Sequence, residues 1–371
     1  MKVLVVGGGI IGCATAYKLA KAGCVVTLLE RATPGAEASG AAAGLLSPLG
    51  EASKTGFGQL AFASWKLYPA VTRELRAATG IDVELTTHGT IYPLYTVADI
   101  QDAAERAERS AGRQFGVQAW DAAEVRTHEP TLSTKVRAAM FVKADHWVNN
   151  QRLVVAYAQG AAGAGVTLTS GVAVSRVIVE DGRARGVVAE GERFEADAVL
   201  LAAGAWTSAL AASFGGHLPV EPRRGQMVAL GHVPPVLTHC VHSDDVYLVP
   251  RPSGELLIGA TVERVGFQRA VTAQGIGGLL AAAIDLVPAL ASLPITRTWF
   301  GFRPWAPGGL PILGPWPGIE NLWVATAHYR NGILLAPITA KLMTEWIVGG
   351  RPSMDLEEFL PKRFIKDRYD G

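Results

Sequence analysis

Residues Lys2 to Val6 (KVLVV) form a short apolar run that ends at Gly7-Gly8-Gly9, and apolar positions then recur at helical spacing from Ile10 to Ala22. Gly23 stops that helix, and Cys24 to Glu30 (CVVTLLE) is a second run of strand length. Strand, helix and strand in this order predict a βαβ unit with its two strands parallel. The pattern then changes. Glu37 to Pro48 (EASGAAAGLLSP) is rich in small residues, Trp65 to Thr79 has helical spacing, and Ile81 to about Pro93 turns strand-like. Ala98 to Arg113 reads as a charge-laced, solvated helix, and Asn150 to Ala164 as a helix closed by Gly165. Alternating strands fill Val166 to Val188 around a turn at Asp181-Gly182. DAVLLAAGAW, from Asp197 to Trp206, is a buried strand running into Gly204. Strand-like pieces occupy 219–302, interrupted by an apolar helix around Gly275–Leu290, and a strand (Asn321 to Thr326) and a helix (Ile333 to Val348) follow a proline-rich 304–318.

These elements define an α/β chain. Its 371 residues exceed the roughly 250–300 at which one core stops growing, so two domains are expected. Because the nucleotide-binding patterns sit at the start, middle and end, the domains are expected to interleave. A Rossmann-like dinucleotide-binding domain takes 1–82, 150–217 and 319–371. An α+β substrate domain on a mostly antiparallel sheet takes 83–149 and 218–318.

Composition narrows the classes further. With 34 basic against 33 acidic residues there is no basic field to gather nucleic acid, and no nucleic-acid partner is expected. The longest uncharged stretch, Ala198 to Val220, is broken by Gly204, Gly215 and Gly216 and carries Ser208 and His217. It is a poor membrane span. The N-terminal MKVLVVGGGIIG is likewise broken by glycines, with Glu30-Arg31 beyond it, and reads as a first strand, not a signal peptide. Cys13, Cys24 and Cys240 are widely spaced and contain no CxxC, which suits a reducing compartment. A cytoplasmic protein is expected.

Gly7-x-Gly9-x-x-Gly12 lies between strand and helix, and Glu30 ends the next strand eighteen residues after Gly12. Gly7 permits the tight turn, Gly9 the approach of a pyrophosphate, and Gly12 close packing of helix on strand. The helix N-terminus attracts phosphate, and the Glu30 carboxylate can accept from ribose hydroxyls. This motif predicts a dinucleotide site without deciding between NAD and FAD. Ala203 and Gly204 offer a second strand end that could pass the same cofactor, or a simple strand–helix turn. Arg330-Asn331-Gly332 then opens a C-terminal helix (ILLAPITAKLMTEWI), with Pro337 tolerated in its early turns. A helix N-terminus carries about half a positive charge, which suits the edge of a reduced flavin where negative charge collects.

GGGIIG, EASGAAAGLLSP, GFRPW with GGLPILGP, and NLWVATAHYRNGILLAP together resemble the D-amino-acid oxidase superfamily, most of all its bacterial glycine-oxidising branch that serves thiamine thiazole synthesis. The likeness runs from residue 1 to about 350. It implies a non-covalent FAD, oxidation of small primary and secondary amino acids, reoxidation by oxygen to hydrogen peroxide, and a homo-oligomer, often a tetramer. By resemblance, Arg303 grips the substrate carboxylate, Tyr247 assists it, and Arg330 stands near flavin and substrate. The cofactor set it implies is Gly7, Gly9, Ile10, Ile11, Gly12, Glu30, Arg31, Ser39, Gly40, Ala42, Ala43, Gly44, Leu45, Val174, Ala203, Gly204, Trp206, Gly301, His328, Arg330, Asn331, Gly332, Ile333 and Leu334. Within it, Ala41 to Leu45 match the loop along the isoalloxazine and Val174 matches an adenine-side contact. The chain departs from the pattern at Leu45, Gly308 and Ala327, where relatives often have Met, Asp and Gly, and at Val262, where one close type of relative has a pocket methionine.

Arg303 also stands on chemistry alone. A guanidinium fork pairs bidentately with a planar carboxylate. If the substrate binds as a neutral amine, hydride can leave Cα without an acid or base side chain, so the absence of a nucleophile–base pair is no obstacle. His239-x-x-His242 lacks a carboxylate or thiol pattern nearby, and no metal is expected. The rival readings are an enzyme passing electrons to a non-oxygen acceptor and a non-catalytic or RNA-modifying flavoprotein module.

Overall fold

The structure is a computed structural model that describes residues 1–51, 55–231 and 234–364. Parts of three expected domain segments, at 52–54, 232–233 and 365–371, lie outside the described residues. β1 (Lys2–Val6), α1 (Ile10–Lys21) and β2 (Val25–Glu30) form the expected unit. β1 lies between β2 and the Ala198–Leu201 strand, parallel to both. The six-stranded sheet runs Ile312–Pro315, Leu322–Thr326, Ala198–Leu201, β1, β2, Thr167–Ser170, with only Ile312–Pro315 antiparallel to its neighbour. Central strands buried on both faces need continuous apolar runs, which KVLVV and AVLL provide. Ile312–Pro315 falls inside the 218–318 expected for the substrate domain, yet it pairs into this sheet.

A second sheet of eight strands runs Ile295–Trp305, Glu221–Gly231, Glu255–Gly259, Tyr247–Pro250, Cys240–His242, Thr90–Leu94, Ala138–Val142, Val117–Asp121. Its pairs are antiparallel except Cys240–His242 with Thr90–Leu94. A small three-stranded antiparallel sheet turns at Asp181 and Gly182, whose φ of 53° and 71° fit a tight hairpin.

Two expected elements are corrected. Ala98 to Arg113 is two helices, Val97–Glu108 and Ser110–Phe115, because Arg109 takes an extended backbone and Gly112 turns back against the Arg106 carbonyl. Of Ile81 to Pro93 only Thr90–Leu94 is a strand; Glu84, at φ 55°, cannot continue one.

The helix Gly332–Gly349 is long and apolar enough by length and composition to cross a membrane. Here it is a core helix. Ile333 through Ala340, Leu342 and Met343 are buried, and it packs on α1 and on the helix Thr55–Thr79. Pro337 has no N–H, which leaves the Ile333 carbonyl without its helical donor, and the Tyr68 hydroxyl donates to it. One residue on, Ser64 Oγ donates to the Leu334 carbonyl at 2.6 Å and accepts from the Ile338 N–H at 3.3 Å. Two side chains of a neighbouring helix thus repair the turn that the proline disrupts.

α1 lies so close to β1 that a Cβ at Gly12 would overlap the Gly7 carbonyl oxygen. Gly7 itself holds a φ of 108°, which only glycine adopts readily. Gly12→Ala is expected to destabilise the fold by about 1–3 kcal/mol through overpacking, read as a lower urea midpoint. An unchanged midpoint would show slack in this contact.

Candidate active site

A cavity of about 770 Å³ lies between the two large sheets. At one end its wall is Gly7, Gly9, Ile10 and Ile11 from the turn and first residues of α1, with Glu30, Arg31, Ser39, Val174, Ala203, Gly204 and Trp206. Each Glu30 oxygen accepts one backbone N–H, from Gly8 at 2.6 Å and Ala32 at 2.9 Å. A carboxylate oxygen has further lone pairs, so these bonds orient Glu30 without exhausting it. The Arg31 guanidinium stacks 3.6 Å over the Trp206 ring and pairs with Glu37. Ala42, Ala43, Gly44 and Leu45 form the middle wall.

At the other end stand Tyr247, Gly301, Arg303, His328, Arg330, Asn331, Gly332 and Ile333. Arg303 projects from the Ile295–Trp305 strand and donates to the Thr261 carbonyl at 3.0 Å. Its guanidinium occupies the space a Cβ at Gly225 would need, on the strand alongside. The Tyr247 hydroxyl donates to Met227 Sδ at 3.3 Å. Burial pushes the Tyr247 phenol up, with Arg303 opposing, so it is a neutral donor.

His328 is buried, its Nε2 lies 3.1 Å from Thr339 Oγ1, and burial pulls its pKa down to about 3. Burial, and then the Arg330 charge, bring His242 to about 4. Neither imidazole carries charge at neutral pH. The wall's carboxylates, Glu30 and Glu37, belong to the Gly7 end. Two guanidiniums among neutral donors suit a small anion such as a carboxylate.

Three of the anticipated cofactor residues stand behind the wall. Gly12 is closed off by the Gly7 carbonyl, Gly40 by the Gly35 carbonyl, and Leu334 is buried with its own carbonyl held by Ser64. Val262 is 53% exposed and does not line the cavity. His239 and His242 diverge: His239 Nδ1 lies 2.8 Å from Glu129, whereas His242 packs against Tyr92 and Tyr247 on the cavity wall. Among the described residues no group of His, Cys, Asp and Glu is arranged to hold a metal ion. Ala327 and Tyr329, on either side of His328, hold φ of 57° and 50°. Glycine would adopt that left-handed backbone freely at position 327, and alanine adopts it at some cost.

Sequence reading missed Gly225, Met227, Tyr92 and Ser47, which also line the cavity. Only strand register brings Gly225 to Arg303, and no local pattern signals it. Tyr92 donates at 2.6 Å to Asp145, a fully buried carboxyl that burial raises from 3.8 to about 7.

The glycine cradle, the helix start and the acid at the strand end define a dinucleotide-binding oxidoreductase. The chain belongs to the FAD dependent oxidoreductase family, whose model matches residues 2–346. It is similar to a glycine oxidase of Pseudomonas putida, 35% identical over 97% of this chain and 98% of that protein. A bifunctional protein ThiO/ThiG of Trichormus variabilis is 36% identical over 98% of this chain and 55% of its own length. The crystal structure of glycine oxidase from Geobacillus kaustophilus superposes with a TM-score of 0.92 at 36% identity, covering 98% of this chain and 99% of that one. FAD is the cofactor, and a cavity with a glycine turn and helix N-terminus at one end and a second helix N-terminus at the other fits it.

Two outcomes are expected here. Gly225→Ala displaces the Arg303 guanidinium and lowers affinity for carboxylate ligands about tenfold, the size of half or more of one charge-assisted hydrogen bond. Wild-type affinity would show that the fork has room elsewhere. For Asp145, the unfolded carboxyl loses its proton near 3.8 and the folded one near 7. Stability due to this group therefore falls as pH rises between those values and levels off above. Asp145→Asn keeps an acceptor for Tyr92 and removes the ionisation, so its thermal midpoint should gain on the wild type from pH 5 to pH 8. A constant difference would contradict the assignment.

Proposed function

We propose that this enzyme oxidises glycine and related small amino acids, sarcosine and small D-amino acids, to the 2-oxo acid with ammonia or amine. Oxygen takes the electrons and hydrogen peroxide is released; for glycine and water the products are glyoxylate, ammonia and peroxide. The observation that carries the reading is Arg303, whose guanidinium shares the cavity end with the half-buried Tyr247 and its hydroxyl. Relatives 35–36% identical over nearly the whole chain that bear the name glycine oxidase support the substrate class. We also propose a role in forming the thiamine thiazole, a homo-oligomeric state, a cytoplasmic location and the two-domain division given by the sequence, with Ile312–Pro315 moved to the dinucleotide-binding domain.

In this reading Arg303 grips the substrate carboxylate through two parallel N–H bonds and Tyr247 donates a third. Arg330 adds positive charge at the exposed rim. The grip leaves the substrate's Cα as the part free to be turned toward the ring, so its hydrogen is presented by position and not by a base. His328 and His242 stay neutral and orient by hydrogen bonding and packing. FAD, when bound, supplies the two-electron acceptor. The residues proposed to hold it are Gly7, Gly9, Ile10, Ile11 and Glu30 at the nucleotide end, and Ala42 to Leu45 with Asn331 to Ile333 at the ring. Cys13, Cys24 and Cys240 do not line the cavity, which supports a non-covalent cofactor.

The test is an anaerobic titration with glycine followed by flavin absorbance. Bleaching at modest glycine, with colour returning in air, is expected. In Arg303→Ala the glycine KM should rise about 10–100-fold, since a charge-assisted bond is worth about 1.5–3 kcal/mol. Bleaching without return in air would move the electrons to another acceptor. A yellow protein indifferent to glycine, sarcosine and D-alanine would overturn the substrate class.

A further inference from the structure

Arg251 follows the Tyr247–Pro250 strand and is 5% exposed. It forms no ion pair among the described residues; Glu84 and Glu255, the carboxylates whose charge acts on it, are engaged by Arg152 and Arg297. Its guanidinium meets three neutral oxygens. Nη1 donates to the Val148 carbonyl at 2.7 Å, and Nη2 donates to the Ala43 carbonyl and to Asn150 Oδ1, both at 3.0 Å. Asn150 Nδ2 continues the chain to the carbonyls of Ser39 and Gly40, at 2.8 and 3.0 Å. The Val148 N–H donates to the Gly44 carbonyl at 3.0 Å, and Ser39 Oγ accepts the Ile10 N–H at 3.0 Å. Thus one buried cation beside the second sheet ties down the 39–44 loop, which includes the end of the short helix Ala38–Ala41, at residues 39, 40, 43 and 44, and its far end holds the first turn of α1.

A guanidinium buried without a carboxylate is expensive, because its lost hydration is recovered only through neutral dipoles. Burial lowers its pKa to about 10, so it remains charged at neutral pH. Such an arrangement persists only where each acceptor is well placed. A planar fork reaches three acceptors in divergent directions, which a lysine ammonium on a flexible stem does not reproduce.

We propose that Arg251 is a positioning residue for the redox end of the cavity: through Ala43, Val148 and Asn150 it fixes the 39–44 loop in the shape that receives the flavin ring. The proposal rests on the reading that this loop faces the ring. Arg251 touches neither substrate nor cofactor, so its effect is transmitted through the loop.

The test compares wild type, Arg251→Lys, Arg251→Met and Asn150→Ala without substrate. Measured are the FAD dissociation constant, the visible circular dichroism of bound flavin, and the thermal midpoint of the apoprotein. Arg251→Met is expected to bind FAD at least tenfold more weakly with altered visible dichroism. Arg251→Lys should restore the apoprotein midpoint to within a few degrees but not the FAD affinity. If Arg251→Met does not fold, Asn150→Ala removes the Ser39 and Gly40 arms and one Arg251 acceptor, leaves the bonds to Ala43 and Val148, and should weaken FAD binding about threefold. A lowered midpoint with wild-type FAD affinity and dichroism would overturn the proposal, and so would weakened binding with unchanged visible dichroism. Because no substrate is used, a failure of the glycine reading leaves these outcomes intact and is recognised separately.

Discussion

Two helix N-termini open into one cavity, and the rest of the molecule is arranged to keep them there. α1 begins at the glycine turn, and the helix Gly332–Gly349 begins beside Arg330 and Asn331. Each start carries about half a positive charge. Neither position is cheap. α1 reaches its place only because Gly12 crosses the Gly7 carbonyl with no side chain between them. The second helix carries a proline in its early turns and is held by Ser64 and Tyr68 from the helix beside it. Loosening either contact would move a helix start relative to the cavity.

The second sheet contributes the contrasting chemistry. It brings Arg303, Tyr247, Met227 and His242 to the far wall, where burial keeps the phenol and the imidazole neutral. Side-chain positive charge there is confined to guanidiniums. Such a wall discriminates by the anionic group it pairs with and by orientation, and needs no acid or base of its own. Behind it, Arg251 extends the second sheet's influence to the 39–44 loop, so the two halves of the cavity are mechanically linked.

Much of this was legible from the chain alone, for local reasons. KVLVV, the glycine turn, Ile10 to Ala22 and Glu30 announce the βαβ unit within a short span, and the NGILL helix start announces itself next to a strand. What was not legible depends on register between distant segments. Gly225 makes room for Arg303 only because their strands pair antiparallel. Tyr92 and His242 meet across the one parallel pair of the second sheet, between strands far apart in sequence. Gly40 and Leu334 were expected at the cofactor from the family resemblance, but a backbone carbonyl closes off the first and the second is buried with its carbonyl held by a neighbouring helix's hydroxyl.

The most direct measurement is a crystal structure of the FAD-bound protein soaked with acetate, a carboxylate without an amine. The expected result is acetate forked on Arg303 with the Tyr247 hydroxyl within hydrogen-bond distance, and the flavin's pyrimidine edge against the amides that begin the Gly332–Gly349 helix. A flavin reversed in the cavity, or acetate bound away from Arg303 with that guanidinium still on the Thr261 carbonyl, would contradict the account.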